Sequence, residues 1–223
     1  MHVTEHIDNK KDRNMQDQGI DMTARSDRAH DIRAQDVIDF WFGAPGTEGA
    51  GRPHRDWFVK SDAFDADIRT RFGTIIDAAI AGGLRDWDEA GPQGTLARIL
   101  VLDQFTRNVY RNTPQSFAGD ALALGAARRM VNAGTDRELP PLQRAFVYMP
   151  FEHAEDAYMQ EQAVELFSVL AAEHPGFDEM LDYAHRHRGV IARFGRFPHR
   201  NEILGRASTP EETIFLQQPG SRF

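Results

Sequence analysis

The chain has 223 residues, 41% of them hydrophobic, no cysteine and a formal net charge of −8. That length buries a sizeable core without a disulfide or metal staple, while the missing thiols exclude disulfides, zinc–thiolate sites, iron–sulfur clusters and cysteine catalysis. The acidic balance argues against a sequence-independent grip on nucleic acid, which needs many Lys and Arg contacts to phosphate.

No apolar run approaches the ~18 residues of a membrane span, and the N-terminal stretch lacks the apolar region of a secretory signal. With the absence of cysteine, this fits a cytoplasmic chain with no membrane and no nucleic-acid partner. Residues 1–30 are polar, mixed in charge and nearly free of large apolar side chains, so a flexible N-terminal tail is expected. A single all-helical domain is expected over 31–223. It begins with a short helix in IRAQDVIDFWFG that ends at Gly43, followed by a Gly- and Pro-rich loop from Ala44 to Arg55.

Ser61 has the character of an N-cap. Behind it Phe64, Ile68, Phe72, Ile75, Ile76, Ala79 and Ile80 form one helical stripe, stopped by Gly82-Gly83. After a turn carrying Trp87, helices are expected from about Thr95 to Tyr110 and from about Gly119 to Ala133, the second halted by Gly134. Pro140-Pro141 opens a short helix through Tyr148. Pro150 then restarts the chain into a long helix ending near His174, and a further helix runs from about Phe177 to Phe194. Thr209, Pro210 and Glu212 spell a final helix start with a capping box. No segment sustains period-two alternation, so the fold class is all-α. ALALGAARRMVNAG and AVELFSVLAAEHPG place small and apolar residues alike, a pattern of stacked helical hairpins.

Following each apolar stripe along its helix brings out polar residues. Leu170, Phe167, Ala163 and Met159 lead back to Asp156 and Glu152, with His153 and Gln160 at the edge. Leu96, Ile99 and Leu100 lead to Asp103 and Arg107, and Met180, Tyr183 and Ala184 lead to His187. Polar groups set among packing residues must find partners or line a wet cavity. One reading is a structural network: Asp103 with Arg107 at one helical turn, and carboxylates on helix N-termini. The other is a shared pocket, with Glu152 or Asp156 as general base, His187 as acid–base partner and Arg107 as anchor for an anionic group. A metal variant would use His153, Asp156 and His187, but no recognised ligand spacing is present, so neither metal nor cofactor is assigned.

The segment HRGVIARFGRFPHRNEILGR concentrates Arg and Phe. Arg193, Arg196, His199, Arg200 and Asn201 are candidate ligand-binding residues, since guanidinium forks suit phosphate or carboxylate. Alternatively the Arg side chains tie the last segment onto acidic helices while the Phe side chains pack. Trp41-Phe42 and Trp57-Phe58 are expected to be core anchors. The nucleophile elbow G-x-S-x-G, the phosphate loop G-x-x-x-x-G-K-[ST] and the dinucleotide fingerprint are all absent.

The segments VIDFWFG, LDQFTRNVYR, YMPFEHAED and RFGRFPHRNEILGR, with the closing STPEE, resemble the bacterial domain-of-unknown-function family numbered nine hundred and twenty-four. The resemblance implies a right-handed α-α superhelix of stacked antiparallel helices, similar to tetratricopeptide repeats, although no clear tetratricopeptide consensus is present. The family's motif positions fall here on Asp103, Gln104, Phe105, Arg107, Asn108 and Arg111, then Pro150, Phe151, His153, Glu155 and Asp156. They continue through His187, Arg193, Phe194, Gly195, Arg196, Pro198, His199, Arg200 and Asn201. Two functions are therefore expected in competition. One is a helical-repeat module that binds or scaffolds a protein or peptide partner. The other is a small-molecule enzyme or ligand-binding protein built on the Asp, Glu, His and Arg cluster.

Overall fold

The computed structural model describes Met1 and residues 32–222; apart from Met1, the expected N-terminal tail lies outside the described residues. Ten α-helices are named here in chain order. They are α1 (Ala34–Phe42), α2 (Asp62–Ile80), α3 (Asp86–Glu89), α4 (Pro92–Ile99), α5 (Thr106–Val109), α6 (Asp120–Ala133), α7 (Pro141–Glu152), α8 (Ala157–Glu173), α9 (Asp178–Phe194) and α10 (Pro210–Phe215). No strand occurs among the described residues. The fold is all-α.

Local signals set most boundaries. The Ser61 hydroxyl accepts from Phe64 N at 3.3 Å and caps α2. Thr209 and Glu212 close a reciprocal capping box on α10, with Glu212 N donating to Thr209 Oγ1 at 3.1 Å and Thr209 N donating to a Glu212 carboxylate oxygen at 2.7 Å. Gly134 and Gly195 end α6 and α9 in the left-handed conformation, at φ 72° and 69°.

The centre of the molecule is α4, which touches α1, α3, α6 and α7. It runs without a break into a π-helical stretch, Leu100–Phe105, and on into α5. Every residue from Gly94 to Thr106 is buried, as befits a helix surrounded on all sides. On one flank Trp41 stacks on Trp57 at 5.6 Å, and Phe146 meets Trp57 edge-on at 4.8 Å. Burying a Phe of this kind contributes about 1.5–3 kcal/mol. On the other flank α6 comes close through Gly119, where an added Cβ would lie 2.1 Å from the Leu102 carbonyl oxygen. Beyond this centre, α7, α8 and α9 pack in sequence.

Two expectations are corrected. Pro150 does not restart the chain; it lies inside α7, which continues to Glu152. The break falls at His153–Asp156, where Asp156 caps α8 by accepting from Met159 N at 2.9 Å. Gln160 secures this corner, its amide donating to the Glu152 and Ala154 carbonyls at 2.6 and 2.8 Å. The first of these carbonyls ends α7 and the second lies in the corner that follows, where the helix ladder no longer supplies a donor. The second correction concerns Phe58, which is 62% exposed and anchors nothing; Trp57 alone turns inward.

Candidate functional site

The π-helical stretch decides where the polar residues point. Bonding i to i+5 frees carbonyls that the ordinary helix would use, and such bulges gather at functional sites. Here the Thr106 hydroxyl donates to the Leu102 carbonyl at 2.8 Å, and Arg107 Nη1 donates to the Asp103 carbonyl at 2.6 Å. Asp103 is left wholly buried, with three partners for its carboxylate. Arg107 Nη1 lies at 3.1 Å, His153 Nδ1 at 2.8 Å and Gln104 Nε2 at 2.7 Å. Burial by itself would raise the Asp103 pKa. Arg107, His153 and the hydrogen bonds from His153 and Gln104 outweigh it and hold the carboxyl well below its usual range.

The network continues outward. Arg107 forks onto Asp120 at 2.8 and 3.1 Å, and Arg200 Nη1 reaches the same Asp120 at 3.1 Å. Arg200 also donates to the His153 carbonyl at 3.0 Å and lies over the Phe117 and Phe197 rings at 4.6 and 4.7 Å. Burial, followed by the nearby Arg107 charge, pushes the Arg200 pKa down to about 10. Its Nε–H has no acceptor among the described residues.

A second carboxylate–histidine pair stands beside the first. His187 Nδ1 lies 2.7 Å from Glu152 Oε1 and 2.9 Å from the Tyr183 carbonyl, and the His153 and His187 ring centres are 6.2 Å apart. A carbonyl only accepts, so Nδ1 of His187 carries the proton. The ionised Asp103 imposes the same tautomer on His153. In a neutral His153 ring this makes Nε2 the nitrogen with the lone pair.

These groups face a cleft of about 290 Å³, lined by His153, His187, His199, Arg107, Arg200 and Arg222, with Arg111 and Phe117 on its wall. Asp65 engages Arg111 through both carboxylate oxygens. Arg222 has no ion pair among the described residues. His199 is pushed down to about 3, by burial first and then by Arg200, His187 and Arg222.

The expected candidates divide accordingly. Asp103, Arg107, Glu152, His153, His187, His199 and Arg200 come together. Asp156 does not: it is an exposed cap, so its place on an inward stripe is corrected, and the His153, Asp156 and His187 grouping is not assembled. No group of three or more metal-ligating His, Asp or Glu side chains occurs among the described residues. Arg193 pairs with Glu211 at 2.8 Å and Arg196 with Glu212 at 2.7 Å. Asn201 bonds Ser208 and Glu212, and Arg206 forks onto Glu155 at 2.6 and 2.9 Å. These side chains tie the last segment down and do not line the cleft. Asp120 escaped the sequence reading, because an Asp in a first helical turn is the ordinary complement to the helix dipole.

A sequence model described as "Bacterial protein of unknown function (DUF924)" matches residues 37–220. Among solved structures the chain is similar to a protein of unknown function from Agrobacterium tumefaciens. The two are 39% identical with a TM-score of 0.70, covering 82% of this chain and 96% of that one. No curated protein matches the chain.

Proposed function

Because the chain belongs to the bacterial family of unknown function DUF924, its activity has to be read from its own site, and we propose that the cleft takes a small carboxylate or phosphate compound on which His153 acts as an acid–base group. One observation carries this reading. Arg200, its side chain buried, lines the cleft beside the His153–Asp103 dyad and Arg222; among the described residues the Arg200 Nε–H has no acceptor and Arg222 no ion pair.

An anion entering here gains charge-assisted hydrogen bonds and relieves the crowding of Arg200 by Arg107. Asp103 and Asp120 lie behind the cations, so they orient the guanidinium groups without facing the ligand. Proton transfer falls to His153. Asp103 fixes Nδ1–H, keeps the ring in place and stabilises the imidazolium formed when Nε2 takes a proton. His187, backed by Glu152, supplies a second imidazole in the same cleft. A protein- or peptide-binding role draws support only from the helical architecture, which does not specify function.

A thermal-shift screen of small carboxylates, phosphates and neutral analogues tests the proposal. A ligand at a hundred times its Kd stabilises by about 2.7 kcal/mol, which is about 5–11 °C in Tm for a domain of this size. Shifts should be confined to anions and should shrink in Arg222→Gln and Arg111→Gln, whose side chains lie at the cleft's edge. Equal shifts from neutral compounds, or an anion response that both variants leave intact, would reject the reading.

A further inference from the structure

A second cavity, of about 330 Å³, lies where α3, α4 and α6 meet. It is lined by Arg85, Asp88, Arg98 and Arg129, against Ala121 and Gly125 of α6. Arg98 is more than two helical turns from Arg107 along the same rod, and no residue lines both cavities. Three guanidinium groups surround one carboxylate here. Both ion pairs go to the same oxygen: Asp88 Oδ2 accepts from Arg98 Nη1 at 2.7 Å and from Arg129 Nη2 at 3.0 Å. Arg85 turns its Nε–H to the Gly82 carbonyl at 3.1 Å.

The pairing is therefore incomplete in charge and in hydrogen bonds. Arg98 is only 2% exposed, yet its Nε–H has no acceptor among the described residues, and neither has the buried Asp88 Oδ1 a donor. Buried polar atoms are nearly always satisfied, and one that is not calls for an explanation. Arg–carboxylate pairs are frequently bidentate, with both carboxylate oxygens against the guanidinium fork, as in Arg107 on Asp120; here a single oxygen is used. The arrangement instead keeps one donor and one acceptor beside an excess of positive charge.

We propose that this cavity binds a small oxyanion that also carries a hydroxyl, either hydrogen phosphate or an α-hydroxy carboxylate. The oxyanion accepts from Arg98 on the floor, with Arg85 and Arg129 adding charge from the sides. The hydroxyl donates to Asp88 Oδ1. The proposal is independent of the histidine cleft, since it shares no residue with it.

The test is NMR of ¹⁵N-arginine-labelled full-length protein, following the Arg98 Nε–H signal while inorganic phosphate, glycolate or acetate is added. The signal is assigned by its loss in Arg98→Lys, or by triple-resonance spectra if that variant does not fold. Saturable shifts in the millimolar range are expected, and which of phosphate and glycolate binds more tightly identifies the class. Acetate, lacking the hydroxyl, should bind about fivefold or more weakly than glycolate. Arg129→Gln, an exposed change, should weaken both hydroxylated ligands by about tenfold, as befits a lost charge-assisted bond. Arg222→Gln, in the histidine cleft, should leave the Arg98 response unchanged. No saturable shift with either hydroxylated ligand, acetate matching glycolate, or an Arg129→Gln variant that binds like the parent would each overturn the proposal.

Discussion

Replacing Asp103 by Asn tests the buried network at its centre. The side chain is fully buried, with Arg107 at 3.1 Å, His153 at 2.8 Å and Gln104 at 2.7 Å. Removing one partner of a buried ion pair costs about 3–5 kcal/mol when the other is left uncompensated. Arg107 is not left so, because it keeps its fork onto Asp120. Against that, the new amide NH₂ confronts either the Gln104 amide or the His153 Nδ1–H, donor against donor. The balance is a loss of about 2–3 kcal/mol, below the orphaned-charge range. For a domain of this size that is a fall of about 4–12 °C in Tm. Urea unfolding followed by circular dichroism should show the loss as a lower midpoint with an unchanged m-value. A loss under about 0.5 kcal/mol, the range of an ordinary surface change, would refute the picture of an ionised Asp103 holding Arg107 and His153.

Gly119→Ala should cost about 1–3 kcal/mol through overpacking against the Leu102 carbonyl. Because Asp120 follows directly, the variant should also weaken the anion-dependent thermal shift, whereas an unaffected shift would show that α6 does not set the position of Asp120. His199 has its pKa pushed from 6.5 to about 3. The unfolded chain therefore binds the extra proton first, and stability should fall as pH drops below 6.5, by up to about 1.4 kcal/mol per unit. His199→Gln should remove that slope between pH 6.5 and 4.5 in urea titrations, and an identical slope in both proteins would contradict the assignment. Glu212 has the same sign of linkage in a more acidic window. The Arg196 hydrogen bond leads in holding its pKa down to about 2 from 4.5, so its contribution is present above pH 4.5 and is lost on acidification towards 2. Thr209→Ala, which breaks the box that Glu212 completes, should cost about 1 kcal/mol at pH 7. Loss of α10 protection in hydrogen exchange is the accompanying readout, and unchanged protection would count against the capping role.

Much of the helical order was legible from local chemistry. Ser61, Gly134, Gly195 and the Thr209–Glu212 box act within a few residues of themselves, so their geometry follows from backbone sterics and short hydrogen bonds. The expected corner at Pro150 shows the limit of that kind of inference. Proline removes one hydrogen bond from a helix, but α7 is packed between α6 and α8 and continues past the loss to Glu152. The true corner is made by Asp156 and by Gln160, whose amide serves carbonyls six and eight residues away.

The sequence by itself determined the fold class, most helix boundaries and the presence of polar side chains on faces given to packing. Those follow from period and capping, which neighbouring residues fix among themselves. Only the tertiary structure decided which of the polar residues meet. Asp103 and His153 are fifty positions apart in sequence, and Asp120 and Arg200 eighty. Their meeting depends on a π-helical stretch that alters the angular register of α4, on a glycine that admits α6 to its side, and on a corner after α7. Glu152, expected on one helix with Met159, lies on another and still reaches His187, whereas Asp156, four residues on, faces solvent. Spacing along one helix assigns a residue to a face, but the path of the chain between helices decides what that face meets.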